Sequence, residues 1–259
     1  MQYTGDIATI QRRIAETSDL YHRRLAVLDL LDPRPGERIL EVGCGGGALL
    51  PAIGAAVGSG GRVVGIDVSE DQIAAARKRC ADLANIETAA LDLRSLPHAP
   101  GSFDAVVAVQ VIEYLDDPKQ AVAALRRVVT DRGRAVIFAT NWDSVFWHTG
   151  TDDLTRKVQL AWRQHAPHPN LPADLRSLLE DTGFQTVRQA PVPIVNTAFH
   201  EDTFAYWAAR LMVAFCLARS LISKGEADAW LASLSAMDEA GRFFVSSTPI
   251  VTLAAAVSR

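Results

Sequence analysis

The chain has no hydrophobic run long enough to cross a membrane, since apolar stretches such as residues 211–218 fall far short of the roughly 18 to 20 residues that a span needs. It has no basic excess either. Its 26 Lys and Arg residues face 30 Asp and Glu residues, and the formal charge of −4 disfavours nucleic acid as a partner. The N-terminus shows no apolar segment typical of a secretory signal. We therefore expect no membrane span and a cytoplasmic location.

Cysteine is also scarce. Cys44, Cys80 and Cys216 are scattered and odd in number, which is typical of reduced thiols rather than of a disulfide framework. The chain is otherwise ordinary for a globular protein, with 49% hydrophobic and 22% charged residues. Its 259 residues suit one large domain, and we expect a single domain over 1–259.

Short apolar runs alternate with helix-like stretches over residues 36–140. The predicted strands are 38–42, 62–67, 86–91, 103–109 and 134–140. The predicted helices between them are 48–57, 69–83 and 119–129. This alternation predicts a doubly wound α/β domain with a mostly parallel sheet.

The remaining segments are less regular. We predict an N-terminal helix over 7–31, helices over 152–165 and 172–182, a sixth strand over 184–189, and one or two strands within 243–257. Two more helices are predicted over 202–222 and 226–240. The first of these is apolar almost all round, so it needs a partner surface. That surface is either a pocket that the helix covers as a lid or a second copy of the chain. The sequence is therefore compatible with a monomer and with a homodimer.

A glycine cluster follows the first predicted strand at Gly43, Gly45, Gly46 and Gly47. A glycine-rich turn between a strand and a helix lets a ligand approach the backbone closely. This signal is weak by itself, because the spacing from Gly43 to Ala48 also satisfies a relaxed dinucleotide-binding pattern.

Three acids at consecutive strand ends sharpen that signal. Glu41 stands two residues before the first glycine, where a carboxylate would repel a pyrophosphate but attract an ammonium group. Asp67 lies 24 residues after Gly43, the place where a carboxylate accepts hydrogen bonds from ribose hydroxyls. Asp92 ends the third strand, where a carboxylate can accept from an adenine amine. The pattern predicts a nucleoside ligand that carries an ammonium group.

Four segments together resemble the class I S-adenosylmethionine-dependent methyltransferases: LEVGCGGG at 40–47, GIDVS at 65–69, LDLRSLP at 91–97 and FDAVV at 103–107. Within that class the chain looks like the ubiquinone/menaquinone-type small-molecule methyltransferases. The resemblance covers about residues 36–140. It implies a seven-stranded, mostly parallel sheet with an antiparallel last strand, and S-adenosyl-L-methionine as the cofactor.

The resemblance also implies which residues bind the cofactor. The first-strand acid would hold the amino group, the second-strand acid the ribose, and the pair after the third strand the adenine. The expected cofactor-binding residues are Glu41, Gly43, Cys44, Gly45, Gly47, Asp67, Val68, Gln72, Asp92, Leu93 and Gln110.

Motifs that the sequence lacks restrict the class of molecule that could accept the methyl group. The residues after the fourth strand, VQVIEY at 109–114, lack the Asn/Asp-Pro-Pro-Tyr box of DNA amino-methyltransferases, and no Pro-Cys nucleophile is present. Gln110, Thr140 and Asn141 stand where metal-dependent catechol-type enzymes carry acids and an Asp-Asn pair, so we expect no catalytic metal. A small organic acceptor remains, methylated on oxygen, nitrogen or carbon.

The segment NWDSVFWH at 141–148 follows the fifth strand, at the sheet edge where open α/β domains bind ligands. Its aromatic residues suit an apolar acceptor, although they could also simply pack beneath a loop. The expected acceptor-contacting residues are Tyr21, Trp142, Trp147, His148, Phe204 and Trp207. If the reaction needs a general base, His148 is the leading candidate, followed by His22 and His200.

We therefore divide the domain into an N-terminal helical cap (1–31), a cofactor-binding core (36–140) and acceptor-side segments (141–182 and 196–241), the last of which forms a helical lid insertion. Two alternatives stay open. One is an NAD(P)-dependent oxidoreductase, although Glu41, Asp92 and the lack of a Tyr-x-x-x-Lys pair disfavour it. The other is a methyltransferase fold that binds the cofactor but serves another reaction.

Overall fold

The computed structural model describes the backbone of residues 5–258 and the side chains of residues 7–151 and 153–258. Its α-helices are α1 (Gly5–Glu16), α2 (Ser18–Leu31), α3 (Leu50–Val57), α4 (Glu70–Arg79), α5 (Pro118–Val128), α6 (Asp152–Trp162), α7 (Leu171–Asp181), α8 (Phe204–Ala218) and α9 (Lys224–Glu239). Its strands are β1 (Arg38–Val42), β2 (Arg62–Asp67), β3 (Ile86–Ala90), β4 (Phe103–Val109), β5 (Val129–Ala139), β6 (Phe146–His148), β7 (Phe184–Pro191), β8 (Ile194–Asn196), β9 (Phe244–Ser247) and β10 (Ile250–Ala256).

Seven strands form the central sheet in the order β3-β2-β1-β4-β5-β10-β7. The first five in this order are parallel neighbours. Strand β10 runs antiparallel to both β5 and β7. The expected mostly parallel seven-stranded sheet with an antiparallel last strand is confirmed.

Helices cover both faces of this sheet because its central strands are apolar on both sides. Ile39 packs with α2, α3 and α4 on one face, and the adjacent Leu40 packs with α5 and α7 on the other. Both side chains are completely buried. Because β1, β2 and β4 are parallel, their carboxyl ends lie at the same edge of the sheet, next to the glycine cluster.

A second, three-stranded sheet in the order β6-β9-β8 was not predicted. Both pairs are antiparallel, and the β6–β9 pair joins segments nearly a hundred residues apart in the chain. Strands β6 and β8 are only three residues long. Strands this short show no measurable alternation, so only the tertiary pairing reveals them.

The N-terminal segment forms two helices instead of the single helix predicted over 7–31. Thr17 interrupts it with an extended backbone, and its hydroxyl donates to the Ile14 carbonyl over 2.8 Å. Such a side-chain bond competes with continued helix. The prediction was wrong here because the apolar spacing of the two helices runs on across the break.

Helix α8 is shorter than the predicted 202–222, since Thr203 caps its first turn and the helix ends at Ala218. It packs against α1, α2, α6, α9 and β8. Within the described part of the chain, no helix is both long and apolar enough to span a bilayer.

Asp19 on α2 joins the N-terminal helices to this insertion. Its Oδ2 accepts from the Phe204 backbone N–H at 2.7 Å and from Asn196 Nδ2 at 2.8 Å. Asn196 Oδ1 in turn accepts from the Ala205 N–H at 2.9 Å. The free N–H groups at the start of α8 are thus satisfied by side chains, and a carboxylate there favours the helix dipole.

Asp19→Ala is expected to lower the free energy of unfolding by about 1 to 3 kcal/mol, because it leaves the Phe204 N–H and the Asn196 amide without their acceptor. Urea titration followed by circular dichroism measures this. Asp29→Ala, at an exposed position on the same helix, is the matched control and should stay within about 0.5 kcal/mol of the wild type. Equal losses in the two variants would contradict the role given to Asp19.

Candidate active site

A cavity of about 540 Å³ lies at the carboxyl ends of β1, β2 and β4. One part of its wall is the glycine cluster with the residues that follow the strands. The opposite part consists of residues from 142–163 and from α8, and side chains of α1 and α2 complete it. Its volume is in the range of small-molecule sites.

The backbone of the glycine cluster is shaped for close approach. Gly43 has φ +65°, and a Cβ at this position would collide with the Val111 side chain. The Gly45 N–H donates to Asp67 Oδ2 at 3.0 Å, so the end of β2 fixes the turn. Gly47 does not line the cavity, and a Cβ there would lie 3.0 Å from Ala76 Cβ of α4. Gly47 therefore serves helix packing behind the loop.

Asp67 lines the cavity and also organises the loop. Its Oδ1 accepts from the Ser69 N–H at 2.9 Å, in addition to the Gly45 bond. Burial raises the pKa of Asp67, and these backbone hydrogen bonds oppose that rise. Next to it, the Val68 side chain is 70% exposed and offers an apolar surface to the cavity.

Glu41 is the least compensated acid of the site. The residue is buried, and its Oε2 has no hydrogen-bond partner among the described residues. Burial raises the pKa of Glu41 to about 8; the negative charge of Asp67 adds to this, and Arg23 opposes it. Below this pKa the carboxyl group is mostly protonated, and a cationic ligand group beside it would favour its ionised form.

Asp92 and Gln72 line the same cavity but have partners in the protein. Asp92 pairs with Arg94, with 2.6 Å between Oδ2 and Nη2, and this contact lowers the pKa of Asp92. Gln72 Nε2 donates to Gln11 Oε1 at 3.1 Å, which ties α4 to α1. Leu93 lies buried in the wall beside Asp92.

Gln110 follows β4 with φ +54°, a conformation that is uncommon outside glycine and often marks functional sites. Its Nε2 donates to Thr140 Oγ1 at 3.0 Å, and its Oε1 accepts from Arg23 Nη1. The amide therefore holds the Arg23 guanidinium at the cavity wall.

The wall opposite the glycine cluster is aromatic and apolar. It includes Trp142, Trp147, Trp162, Phe204, Leu211 and Met212. The rings of Trp142 and Trp162 meet edge to face at 5.8 Å between centroids. The Nε1 atoms of the three tryptophans are buried and have no hydrogen-bond partner among the described residues.

Known proteins match this chain in sequence and in fold. Residues 40–137 match the family model described as a methyltransferase domain. The chain is 36% identical to a ubiquinone biosynthesis O-methyltransferase of Thiobacillus denitrificans over 63% of this chain and 71% of that protein. It is 33% identical to an uncharacterised 37.1 kDa protein in transposon TN4556 of Streptomyces fradiae, over 71% of this chain and 53% of that protein. The chain thus spans about half the length of that last relative.

The chain belongs to the class I S-adenosylmethionine-dependent methyltransferases. The fold agrees: the structure of Haemonchus contortus phosphoethanolamine N-methyltransferase 2, in complex with phosphomonomethylethanolamine and S-adenosylhomocysteine, superposes with a TM-score of 0.62 at 18% identity. That match covers 100% of this chain and 58% of the other. The resemblance inferred from the motifs is confirmed.

The cavity of this methyltransferase gathers most of the residues predicted to bind cofactor and three of those predicted to contact the acceptor. The cofactor-binding candidates that line it are Glu41, Gly43, Cys44, Gly45, Asp67, Val68, Gln72, Asp92, Leu93 and Gln110. The acceptor candidates that line it are Trp142, Trp147 and Phe204. Their roles stay predictions.

Three acceptor candidates lie elsewhere. Tyr21 is 54% exposed on α2 and does not line the cavity. Trp207 Nε1 donates to the Glu201 carbonyl at 2.7 Å outside it. His148 lies on β6, paired with Phe244 of β9. No histidine lines the cavity in the described part of the chain, so the geometry does not support His148, His22 or His200 as the general base.

Sequence reasoning missed Arg23, which lines the cavity from α2. Its guanidinium lies 5.2 Å from the centre of the Phe138 ring, and burial lowers the pKa of Arg23 to about 10. The sequence did contain a signal for Arg23, because Tyr21 and His22, its neighbours, are predicted to lie on a helix that covers the site. Helical geometry decides which of adjacent residues faces inward, and the even apolar spacing of α2 did not reveal it.

The free energy of unfolding is expected to fall as pH rises from about 5 to 8, in part because of Glu41. Its pKa is about 8 in the folded protein against an ordinary value of 4.5, so the folded state binds more protons in this window. Glu41→Gln removes this contribution, and its stability should improve relative to the wild type by up to about 1.4 kcal/mol per pH unit. Urea titrations at pH 5, 6, 7 and 8 measure the difference.

Glu70→Gln, at an exposed position on α4, is the control and should follow the wild type at every pH. Parallel stability curves for Glu41→Gln and the wild type would show that Glu41 is not a buried acid of raised pKa.

Proposed function

We propose that this chain transfers a methyl group from S-adenosylmethionine to a small organic acceptor. One observation carries the proposal: a single cavity is lined by Glu41, Asp67 and Asp92 beside the glycine cluster, and by an apolar aromatic wall on the other side. The first part suits a charged nucleoside, and the second suits an apolar body. The likeness to an O-methyltransferase supports the same reaction class.

The residues present fit the cofactor. The unpaired Oε2 of Glu41 would accept from the ammonium group of the methionyl part. Each carboxylate oxygen of Asp67 holds one backbone N–H and keeps a further lone pair for the ribose hydroxyls. Val68 would pack against the adenine. When bound, S-adenosylmethionine supplies a methyl group on a positively charged sulfur, which is activated for displacement.

The protein's own contribution is positioning and exclusion of water. The N-terminal helices and α8 close the cavity with Ile14, Phe204, Leu211 and Met212, which are apolar. Holding both reactants in line in a dry pocket supplies a large share of a displacement barrier without a covalent step. Gln110, held between Arg23 and Thr140, fixes the wall where the two parts of the cavity meet.

We also predict that the protein is cytoplasmic and that it is a monomer or a homodimer. Cys44, Cys80 and Cys216 are free and buried, which fits a reducing compartment. Acceptor-side roles for Trp142, Trp147 and Phe204 belong to the proposal as well.

Calorimetry with S-adenosylhomocysteine and, separately, with NAD tests the proposal. We expect binding of the first and none of the second. Asp67→Ala should weaken binding of S-adenosylhomocysteine by about 1.5 to 3 kcal/mol, the range for hydrogen bonds to a charged group. Part of this loss would come from the glycine cluster, since the Gly45 N–H loses its acceptor.

Asp82→Ala, an exposed acid after α4, should leave the affinity unchanged, and circular dichroism should show all variants folded. Tight NAD binding without binding of S-adenosylhomocysteine would favour the oxidoreductase instead. Cofactor binding without methyl transfer to any of a broad set of acceptors would favour a fold that serves another reaction.

A further inference from the structure

We call the side of the cavity beside the glycine cluster its cofactor part, and the side lined by Arg23, Trp142, Trp147 and Trp162 its acceptor part. The buried, unpartnered polar atoms of the lining side chains differ between these two parts. Glu41 Oε2, beside the glycine cluster, is an acceptor. The other buried, unpartnered polar atoms of lining side chains, within the described residues, are donors: Arg23 Nε and the Nε1 atoms of Trp142, Trp147 and Trp162. Buried donors without partners are costly, so a ligand in the acceptor part should bring oxygens that accept.

Arg23 adds a positive charge to this part. It forms no ion pair with a carboxylate among the described residues, and its bond to Gln110 is to a neutral amide. Four groups act on it electrostatically: Arg24 repels its charge, and Tyr114, Glu113 and Glu41 attract it. Arg23 is half-buried and its Nε is fully buried. A cation in such a place is normally paired, which makes an anionic ligand group its natural counterpart.

The cavity offers few carboxylates or histidines that could remove a proton from an acceptor. None of its described lining residues is a histidine. Glu41, Asp67 and Asp92 belong to the cofactor part. Asp143 is paired with Arg163 at 2.9 Å and accepts from Asn170 at 2.7 Å.

We propose that the acceptor is an aromatic organic acid whose oxygen arrives already ionised, as a carboxylate or an acidic enolate, and is received by Arg23 and the indole N–H groups of the wall. This inference rests on the proposed function and names its substrate class. The tryptophan rings supply the surfaces on which an aromatic body packs.

An ionised acceptor makes the chemistry simple. The acceptor oxygen uses a lone pair to form the new O–C bond, the C–S bond breaks, and its electron pair stays on sulfur as the charge of both partners is neutralised. No proton has to leave in this step, so no general base is required. A neutral alcohol would need one.

Four probes with one bicyclic body test this: 2-naphthoate, 2-hydroxy-1,4-naphthoquinone, 2-naphthol and 2-naphthalenemethanol. Binding is measured by calorimetry at pH 7.5 with the protein saturated with S-adenosylhomocysteine, and transfer by mass spectrometry of the methylated product. The two ionised probes should bind at least about tenfold more tightly than the alcohol, as expected for charge-assisted hydrogen bonds. The carboxylate and the enol together show which acid the site prefers. Methylation of 2-naphthol should rise with pH along the ionisation of 2-naphthol itself.

Arg23→Gln should weaken binding of the ionised probes about tenfold, leave the alcohol within about twofold, and leave the affinity for S-adenosylhomocysteine within a few-fold. Arg23→Lys, which keeps the charge, should recover part of the loss. Arg13→Gln is the matched control, since Arg13 is exposed on α1 and pairs only with Glu16 among the described acids.

Three results would overturn the inference: loss of S-adenosylhomocysteine affinity in Arg23→Gln with unchanged probe binding, methylation of the alcohol as fast as of the acids, or a wild type that binds S-adenosylhomocysteine but does not prefer the ionised probes. A wild type that binds no S-adenosylhomocysteine would instead contradict the proposed function.

Discussion

The buried carboxyl group of Glu41 at the end of β1, with one oxygen unpaired, is the constraint on which the site depends. Burying an acid without a partner costs stability, and Glu41 is nevertheless buried with its Oε2 unpartnered among the described residues. The same burial that raises its pKa makes it a strong receiver for a cation. Asp67, which adds to that rise, accepts from the Gly45 N–H of the glycine cluster and from the N–H of Ser69. Binding chemistry and loop geometry are therefore coupled through neighbouring acids.

The N-terminal helices place an arginine, Arg23, in the same cavity as Glu41. Arg23 lines the cavity from α2, and its charge opposes the rise in the pKa of Glu41. Its guanidinium is held by the side-chain amide of Gln110, a residue whose backbone has a positive φ. Glu41, which lacks a cationic partner, and Arg23, which lacks an anionic partner, thus line the same cavity. A cofactor that brings an ammonium group to Glu41 and an acceptor that brings an ionised oxygen to Arg23 would together satisfy both charges.

The cover itself is assembled from distant parts of the chain. Asp19 on α2 accepts from the first N–H of α8 and from Asn196 on β8, so the N-terminal helices and the insertion are joined by a charged hydrogen-bond cluster. Trp147 of β6 packs on the fully buried Trp230 of α9 at 5.3 Å, which anchors the aromatic wall. The acceptor part of the cavity is therefore a packed structure rather than a loose loop.

The sequence by itself determined the parallel sheet and the part of the cavity beside the glycine cluster, because strand-end residues meet at one edge whenever the strands are parallel. Glu41, Asp67 and Asp92 could be placed from the order of the predicted strands, and the family resemblance added Gln110. Only the tertiary structure decided the acceptor part. Which side of α2 faces inward, and that His148 is drawn into a small sheet with β9, depend on contacts between residues far apart in the chain. Local periodicity carries no information about such pairings, since three-residue strands and neighbouring helical positions are specified by what they pack against.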